Sequence, residues 1–349
     1  MTIVAESYRF VVGVDTHAAT NTLAVLDAGS GHELATATFP TSPPGVRRAL
    51  AWIGRHTQGA TLLVVEGIGS YGAGVTTAAA RAGYLVVEPF PTPAGLRRGQ
   101  GKSDRLDATR IAGSVRGTDT TRLRQPRCDE PIRQALRVLL DSRDTTTTIR
   151  TRHINQLTAL LRSIDLGIDA RHPLTASQIR VIAAWRTPAN ADPAGVIRTE
   201  ATRLARHIVA AEQELADNLN QLRTQIAAHP ARFLLGLKGV GPVTAAAIIV
   251  AWSHPGRVRS DAAFASLAGV APIPASSGNT IRYRLNRGGD RRLNRAITTI
   301  VRARLATDPV TRDYRDTRIE QGKTPREIER SLKRYIAREI YRQLAAICT

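Results

Sequence analysis

Cysteine, methionine, lysine and aromatic residues are all scarce in this chain, and each scarcity excludes something. The two cysteines, Cys128 and Cys348, lie too far apart in sequence to make a disulfide framework. A reducing cytoplasm therefore fits best. Long apolar runs are missing: the longest is Ala245 to Trp252, far short of the ~20 residues that a membrane span requires. No basic stretch followed by an apolar core opens the chain, so no secretory leader is expected. Acidic residues are also short, 29 against 49 basic ones, giving a formal net charge of +20. That balance excludes an acidic solvating tail and points to a polyanionic partner. Only four of the 49 basic residues are lysines. A GC-rich genome accounts for most of that ratio, but not for the net charge. Arginine forks suit phosphate.

What is present begins with Arg9 to Asp27, RFVVGVDTHAATNTLAVLD. Arg9 to Val14 runs apolar and β-branched, which reads as a buried strand ending on Asp15. Thr16 to Asn21 suits a hairpin loop, and Thr22 to Leu26 a second strand. A carboxylate at the end of a buried strand needs a partner, a cap or a metal ion.

The 349 residues suffice for two or three domains. Residues 33–39 alternate and predict a third strand. Pro43-Pro44 opens a helix to about His56. Thr61 to Val65 is a buried strand ending on Glu66, followed by a glycine-crowded turn and a helix to about Ala82. Tyr84 to Val87 is a short strand. The order strand, strand, strand, helix, strand, helix, strand is a mixed α/β domain, as in the ribonuclease H-like fold. A basic, Pro/Gly-rich loop over 91–103 precedes a helix from Ser103 or Asp104 to about Val115. Asp104 and Asp107 share one face of it. Helix capping is the plain alternative for this pair, but carboxylates at two strand ends favour a common site.

Helical patterns over Glu130 to about Ser163 and Pro193 to about Ala228 predict an antiparallel hairpin or coiled coil. Its role reads either as a spacer or as an oligomer or RNA contact. The turn Leu237-Lys238-Gly239-Val240-Gly241-Pro242 has the helix-hairpin-helix pattern, whose glycines let backbone N–H groups approach a phosphate. Ser260 to Leu267 is a capped helix. Ala268 to Ala275 is a turn region, Ser276 to Asn279 a polar loop, and Thr280 to Leu285 a short strand or ribbon. A basic helix is predicted from about Asp290 to Ala306, and an amphipathic one from Pro325 to Ala346.

Seven stretches carry a resemblance: GVDTHAATNTLAVLD, VVEGIGSYG, KSDRLDA, GLKGVGPVTAA, LAGVAPIPASSG, RLNRGGDRRLNRA and GKTPREIERSLKRY. In this order, over nearly the whole chain, they resemble the bridge-RNA-guided DEDD transposases of bacterial insertion sequences, relatives of the Piv DNA invertase. The resemblance implies a RuvC-like domain over 1–125, a helical coiled coil over 126–230 and a C-terminal transposase domain over 231–349. It maps the four carboxylates onto Asp15, Glu66, Asp104 and Asp107, as metal ligands and catalytic residues. It maps a serine nucleophile onto Ser277, before Gly278, with Ser276 as the neighbouring candidate. The pair Gly289-Asp290 departs from the family's usual Gly-Asn. Nucleic-acid contact is expected at Lys102, Arg105, Lys238, Gly239, Gly241, Arg287, Arg291 and Arg292. The implied partners are donor and target DNA, a non-coding guide RNA, and further copies of the chain in a dimer or tetramer.

Four carboxylates suit a hard cation, Mg²⁺ or Mn²⁺, in a site where metals activate a nucleophile and stabilise a leaving oxygen. Serine attack would store the strand end on the protein and allow rejoining; water attack would make a junction resolvase. Serine is a weak nucleophile unaided and no histidine adjoins Ser277, so its loop is expected to reach the carboxylate site. Rival readings are a sugar-kinase or actin-like ATPase, for which a second phosphate loop is lacking, and a non-enzymatic nucleic-acid-binding protein.

Overall fold

The structure is a computed structural model and describes residues 2–90, 101, 103–127, 130–186, 192–275, 283–284, 286 and 288–348. The chain divides into two compact units, Met1–Cys128 and Asp129–Thr349. No helix among the described residues is long and apolar enough to cross a membrane.

The N-terminal unit opens with a short helix, α1 (Val4–Ser7), and is built on a five-stranded sheet. Its central strand β1 (Phe10–Thr16) pairs antiparallel with β2 (Thr20–Asp27). On its other side β1 pairs parallel with β4 (Thr61–Val65). β3 (Glu33–Pro40) lies outside β2, and β5 (Leu85–Val87) outside β4, giving the order β3-β2-β1-β4-β5. Strand β1 runs one residue past Asp15, and the loop to β2 is tighter than expected. His17 N–H donates to Thr20 O across it at 2.9 Å.

Period-two alternation sorts the sheet into two apolar layers. Phe10, Val12 and Val14 face one layer with Leu23, Val25, Leu63 and Val65, covered by helix α2 (Pro43–His56) and helix α3 (Ala73–Arg81). Val11 faces the other with Ala24, Leu26, Leu62 and Val64, under helix α4 (Asp104–Gly113). Gly13 shares the parity of Val11. A Cβ on it would lie 2.0 Å from Ala108 O and 2.6 Å from Ala112 N. The missing side chain thus lets α4 sit directly on the sheet. Asp15, two residues further along, faces the same side, under the N-terminal end of α4.

In the C-terminal unit, α5 (Pro131–Ser163) and α7 (Pro193–Ala227) are long helices, with α6 (Ala176–Ala183) between them. Asn218 Nδ2 donates to Leu139 O at 2.9 Å, Arg150 Nη2 to Glu212 Oε1 at 2.6 Å, and the His153 and His207 rings meet at a tilt, 5.1 Å apart. Partner numbers fall along α7 as they rise along α5, so the pair is antiparallel. The apolar seam is confined to the two ends. One end is Leu157, Leu161, Ile179, Ile182, Leu204 and Ile208. At the other, Leu136, Leu140, Leu222 and Ile226 join the core of the remaining helices. The middle is polar.

That core is centred on α8 (Pro242–Trp252), with α9 (Asp261–Leu267), α10 (Arg291–Thr307) and α12 (Pro325–Ala345) around it. The predicted basic helix is α10. Asp290 caps it by accepting from Leu293 N–H at 3.0 Å, which gives a local role to the residue that departs from the family pair. A helix absent from the sequence reading, α11 (Pro309–Glu320), follows α10. Its signal was local: Asp308 caps it through Thr311 and Pro309 opens it. In the region expected as a turn, Ile273–Pro274 forms strand β6, paired antiparallel with β7 (Tyr283–Arg284).

Candidate active site

The site lies where β1 and β4 end side by side, at the carboxyl edge of the parallel pair, where open α/β sheets commonly bind their ligands. Glu66 N–H donates to Val14 O at 3.1 Å, and Thr16 Oγ1 donates to Glu66 O at 3.0 Å. These bonds fix the main chain of both strand ends. Above them, Ser103 caps α4, its Oγ accepting from Leu106 N–H at 3.3 Å. Asp104 is therefore the first residue of the helix, and Asp107 stands in the same turn. Glu33 of β3 clamps the outer face of α4, pairing with Arg105 at 2.7 Å and accepting from Thr109 Oγ1 at 2.6 Å.

Asp15, His17 and Asp104 each present a ligand atom, all within 4.8 Å of one another. His17 Nε2 is 3.1 Å from Asp15 Oδ2 and 3.6 Å from Asp104 Oδ1. Asp15 is buried, whereas His17 and Asp104 are half exposed. Burial pushes the Asp15 carboxyl above its ordinary range, His17 opposes that, and the charges of Asp107 and Asp104 add to it. Three carboxylates close enough to feel one another attract a cation, and the donor set fits a divalent metal.

Two expected ligands fall outside the tight cluster. Asp107 acts on Asp15 through charge, while its Oδ1 accepts from Arg110 Nη1 at 2.9 Å. Glu66 stands one residue past β4 with an exposed side chain. Gly67, at φ +65°, turns the chain immediately after it. His17 escaped the sequence reading; its signal was the Asp-x-His spacing at the end of a buried strand.

Residues 12–165 match the DEDD-type IS110 transposase family, and residues 231–316 match the transposase IS116/IS110/IS902 family. The chain belongs to the IS110 family of transposases. It is 27% identical over 345 residues to the "Insertion element IS110 uncharacterized 43.6 kDa protein" of Streptomyces coelicolor, covering 84% of each chain. It is 26% identical over 273 residues to the "Insertion element IS900 uncharacterized 42 kDa protein" of Mycobacterium paratuberculosis, covering 66% of this chain and 68% of that one. The transposase is thus a DNA strand-transfer enzyme, with DNA as a partner and a divalent metal implied by its DEDD-type domain. Asp15, Asp104 and His17 form a candidate site for such a metal.

The other expected contacts of the transposase are distributed unevenly. Lys102, Arg287, Ser276 and Ser277 lie outside the described residues. Arg105 is committed to Glu33. Arg291 is exposed, whereas Arg292 pairs with Asp141 and Asp144 at 2.7 and 2.8 Å, fastening α10 to α5. The Lys238–Pro242 turn follows a 3₁₀ segment, Pro230–Gly236. Gly239 takes φ +75° against Ile300 O and the Arg304 stem. Lys238 Nζ pairs with Asp308 at 2.9 Å, and Gly241 N–H donates to Thr244 Oγ1 at 2.9 Å. A phosphate at this turn would have to displace both partners.

Proposed function

We propose that this transposase cleaves and rejoins DNA strands through a covalent phosphoserine intermediate, with Ser277 as nucleophile and a non-coding bridge RNA selecting donor and target. The observation that carries the metal-dependent part is the convergence of Asp15, His17 and Asp104 at the edge of the sheet of a DEDD-type domain. Asp107 contributes negative charge to the same site. Glu66, fixed by its main chain beside Asp15, is the fourth member of the proposed set. Mg²⁺ is the expected ion, and the His17 imidazole makes Mn²⁺ a good substitute. When bound, the ion supplies charge neutralisation for the attacked phosphate and its leaving oxygen.

In the proposed reaction the Ser277 hydroxyl oxygen bonds to phosphorus as the bond from phosphorus to the leaving deoxyribose oxygen breaks. The serine gives up its proton and the leaving oxygen gains one. The phosphodiester linkage is thereby exchanged rather than hydrolysed, so an incoming strand hydroxyl can reverse the step and restore the serine. Asp15, buried at the end of β1, and Asp104, at the start of α4, would hold the metal. Sequence selection by RNA pairing would leave the protein to grip backbone and shape, which agrees with its arginine excess. Recombination joins four strand ends, which is the reason to expect a dimer or tetramer.

The test is a denaturing gel of the protein with labelled donor DNA, Mg²⁺ and RNA transcribed from the flanking element. Wild type should yield a labelled protein–DNA adduct, and Ser277→Ala should lose it while still binding nucleic acid. Loss with Ser276→Ala alone would move the nucleophile by one residue. Cleaved DNA without any adduct would replace serine by water and make the enzyme a metal-dependent resolvase. Asp15→Asn and Asp104→Asn should abolish cleavage outright, and wild-type rates in either would refute the metal site.

A further inference from the structure

A cavity of about 680 Å³ opens in the C-terminal unit between α12, α11 and the β6–β7 pair. Its size is typical of pockets that enclose a ligand, and its lining is unusual. Among the described residues Glu327 is the only carboxylate there, and it is engaged at the start of α12, where Thr324 N–H donates to it at 2.8 Å. Among the cations of the wall, two are matched inside the protein: Lys333 with Glu329 and Arg338 with Asp261. Arg284, Lys323, Arg330 and Arg334 also line it, and among the described residues none of these four is held in an ion pair. The wall therefore carries a surplus of positive charge that folding alone does not neutralise.

Arg334 adds an independent observation. Its Nη1 is shielded from solvent and has no acceptor. A shielded guanidinium N–H left unpaired is costly, and an anion held in the cavity by the rest of this guanidinium would offset its uncompensated charge. Beside it, Tyr335 is 49% exposed. Tyr314 meets Tyr335 edge-on, the rings 5.8 Å apart at 89°, and Arg318 stacks over Tyr314 at 5.1 Å. The perpendicular contact braces Tyr335, and the half of the residue that stays exposed is open to a ligand. Unpaired cations beside a braced, open aromatic ring are what a single nucleic-acid strand requires: phosphates for the cations and a base for the ring. A duplex keeps its bases stacked inside and has no face to offer Tyr335.

We infer that this cavity is a binding site for an unpaired polynucleotide segment, with phosphate held by Arg334, Arg330 and Lys323 and a base stacked on Tyr335. The inference rests on the proposed function only in that a strand-transfer enzyme generates or carries such a segment, as displaced DNA or as RNA. The site needs neither the metal cluster nor the serine, so its failure and theirs are separable.

The test is fluorescence anisotropy of the full chain with a labelled single-stranded oligothymidine, an oligouridine of equal length, and a duplex. Tyr335→Ala should weaken single-strand binding roughly tenfold and leave duplex binding unchanged. Arg334→Gln and Lys323→Gln should each weaken it and flatten its dependence on log salt by about 0.7. Lys323 is exposed, so its variant reads the site even where Arg334→Gln misfolds. Asp15→Asn should bind the single strand as wild type does, separating the cavity from the metal site. Selective weakening on DNA or on RNA supports the site and identifies the strand. Wild-type affinity in Tyr335→Ala and Lys323→Gln would overturn the inference. Equal weakening by Arg223→Gln, an exposed charge on α7, would overturn it too, since charge alone would then explain binding.

Discussion

Gly13 decides more about this enzyme than its size suggests. Helix α4 rests on it, with Ala108 O where a Cβ would be, and α4 carries Asp104 and Asp107 to Asp15. Gly13→Ala must push the helix off the sheet. Overpacking of this kind costs about 1–3 kcal/mol, so the expected outcome is a lower melting temperature together with loss of metal-dependent cleavage. A thermal melt and a cleavage assay on the same preparation check both. At His17 a different outcome is expected. His17→Ala removes one donor and the hydrogen-bond partner of Asp15. Apparent affinity for the divalent ion should fall about 10- to 100-fold, and saturating metal should restore cleavage. A metal titration of the cleavage rate reads this; an unchanged half-saturation point would remove His17 from the site. The carboxylates were visible in the sequence as types at strand and helix ends. His17 was missed, because the Asp-x-His spacing marks only a candidate donor and a period-two pattern does not say which way the residue after a strand will turn.

The long helical pair, α5 and α7, has the antiparallel arrangement expected from the sequence, but the pairing along its centre had to come from the structure. The apolar positions at both ends are helical in spacing and end up buried. The centre is joined by side-chain pairs that only the antiparallel register creates, such as Arg150–Glu212 and His153–His207. Burial lowers the pKa of His153, and the neighbouring charges of His207, Arg203 and Arg152 lower it further. A histidine with a depressed folded pKa resists protonation that the unfolded chain accepts. Its contribution is fully present above the unfolded value near 6.5 and is lost as pH falls through that value towards the folded one. Melting temperature should therefore drop on going from pH 8 to about pH 5, and His153→Gln should reduce the drop. Equal slopes in the two proteins would show that the histidine pair is not the sensor.

At the scale of the whole molecule, the +20 charge is a surplus left after much internal pairing. Arg105, Arg150, Arg292, Arg295, Arg304 and Arg338 all serve as clamps between elements. The surplus still predicts backbone-dominated binding. Affinity for DNA should fall linearly with log salt, by about a thousandfold between ~50 and ~200 mM; a flat salt profile would argue for recognition by uncharged contacts. Charge, the buried strands of the sheet, the long helices and the order of motifs were all legible in the sequence, because each depends on residue type and local spacing. Other features waited for the tertiary structure. They include the seating of α4 on Gly13, the inclusion of His17, the position of Glu66 outside the tight cluster, and the occupation of Lys238 and Arg292 by internal carboxylates. Each depends on which groups meet across long sequence separations. The sequence by itself determined which chemistry the chain can hold. Only the tertiary structure decided which atoms come close enough to share a metal and which cations remain for nucleic acid, because Coulombic and ligand contacts act over a few ångströms of space rather than along the chain.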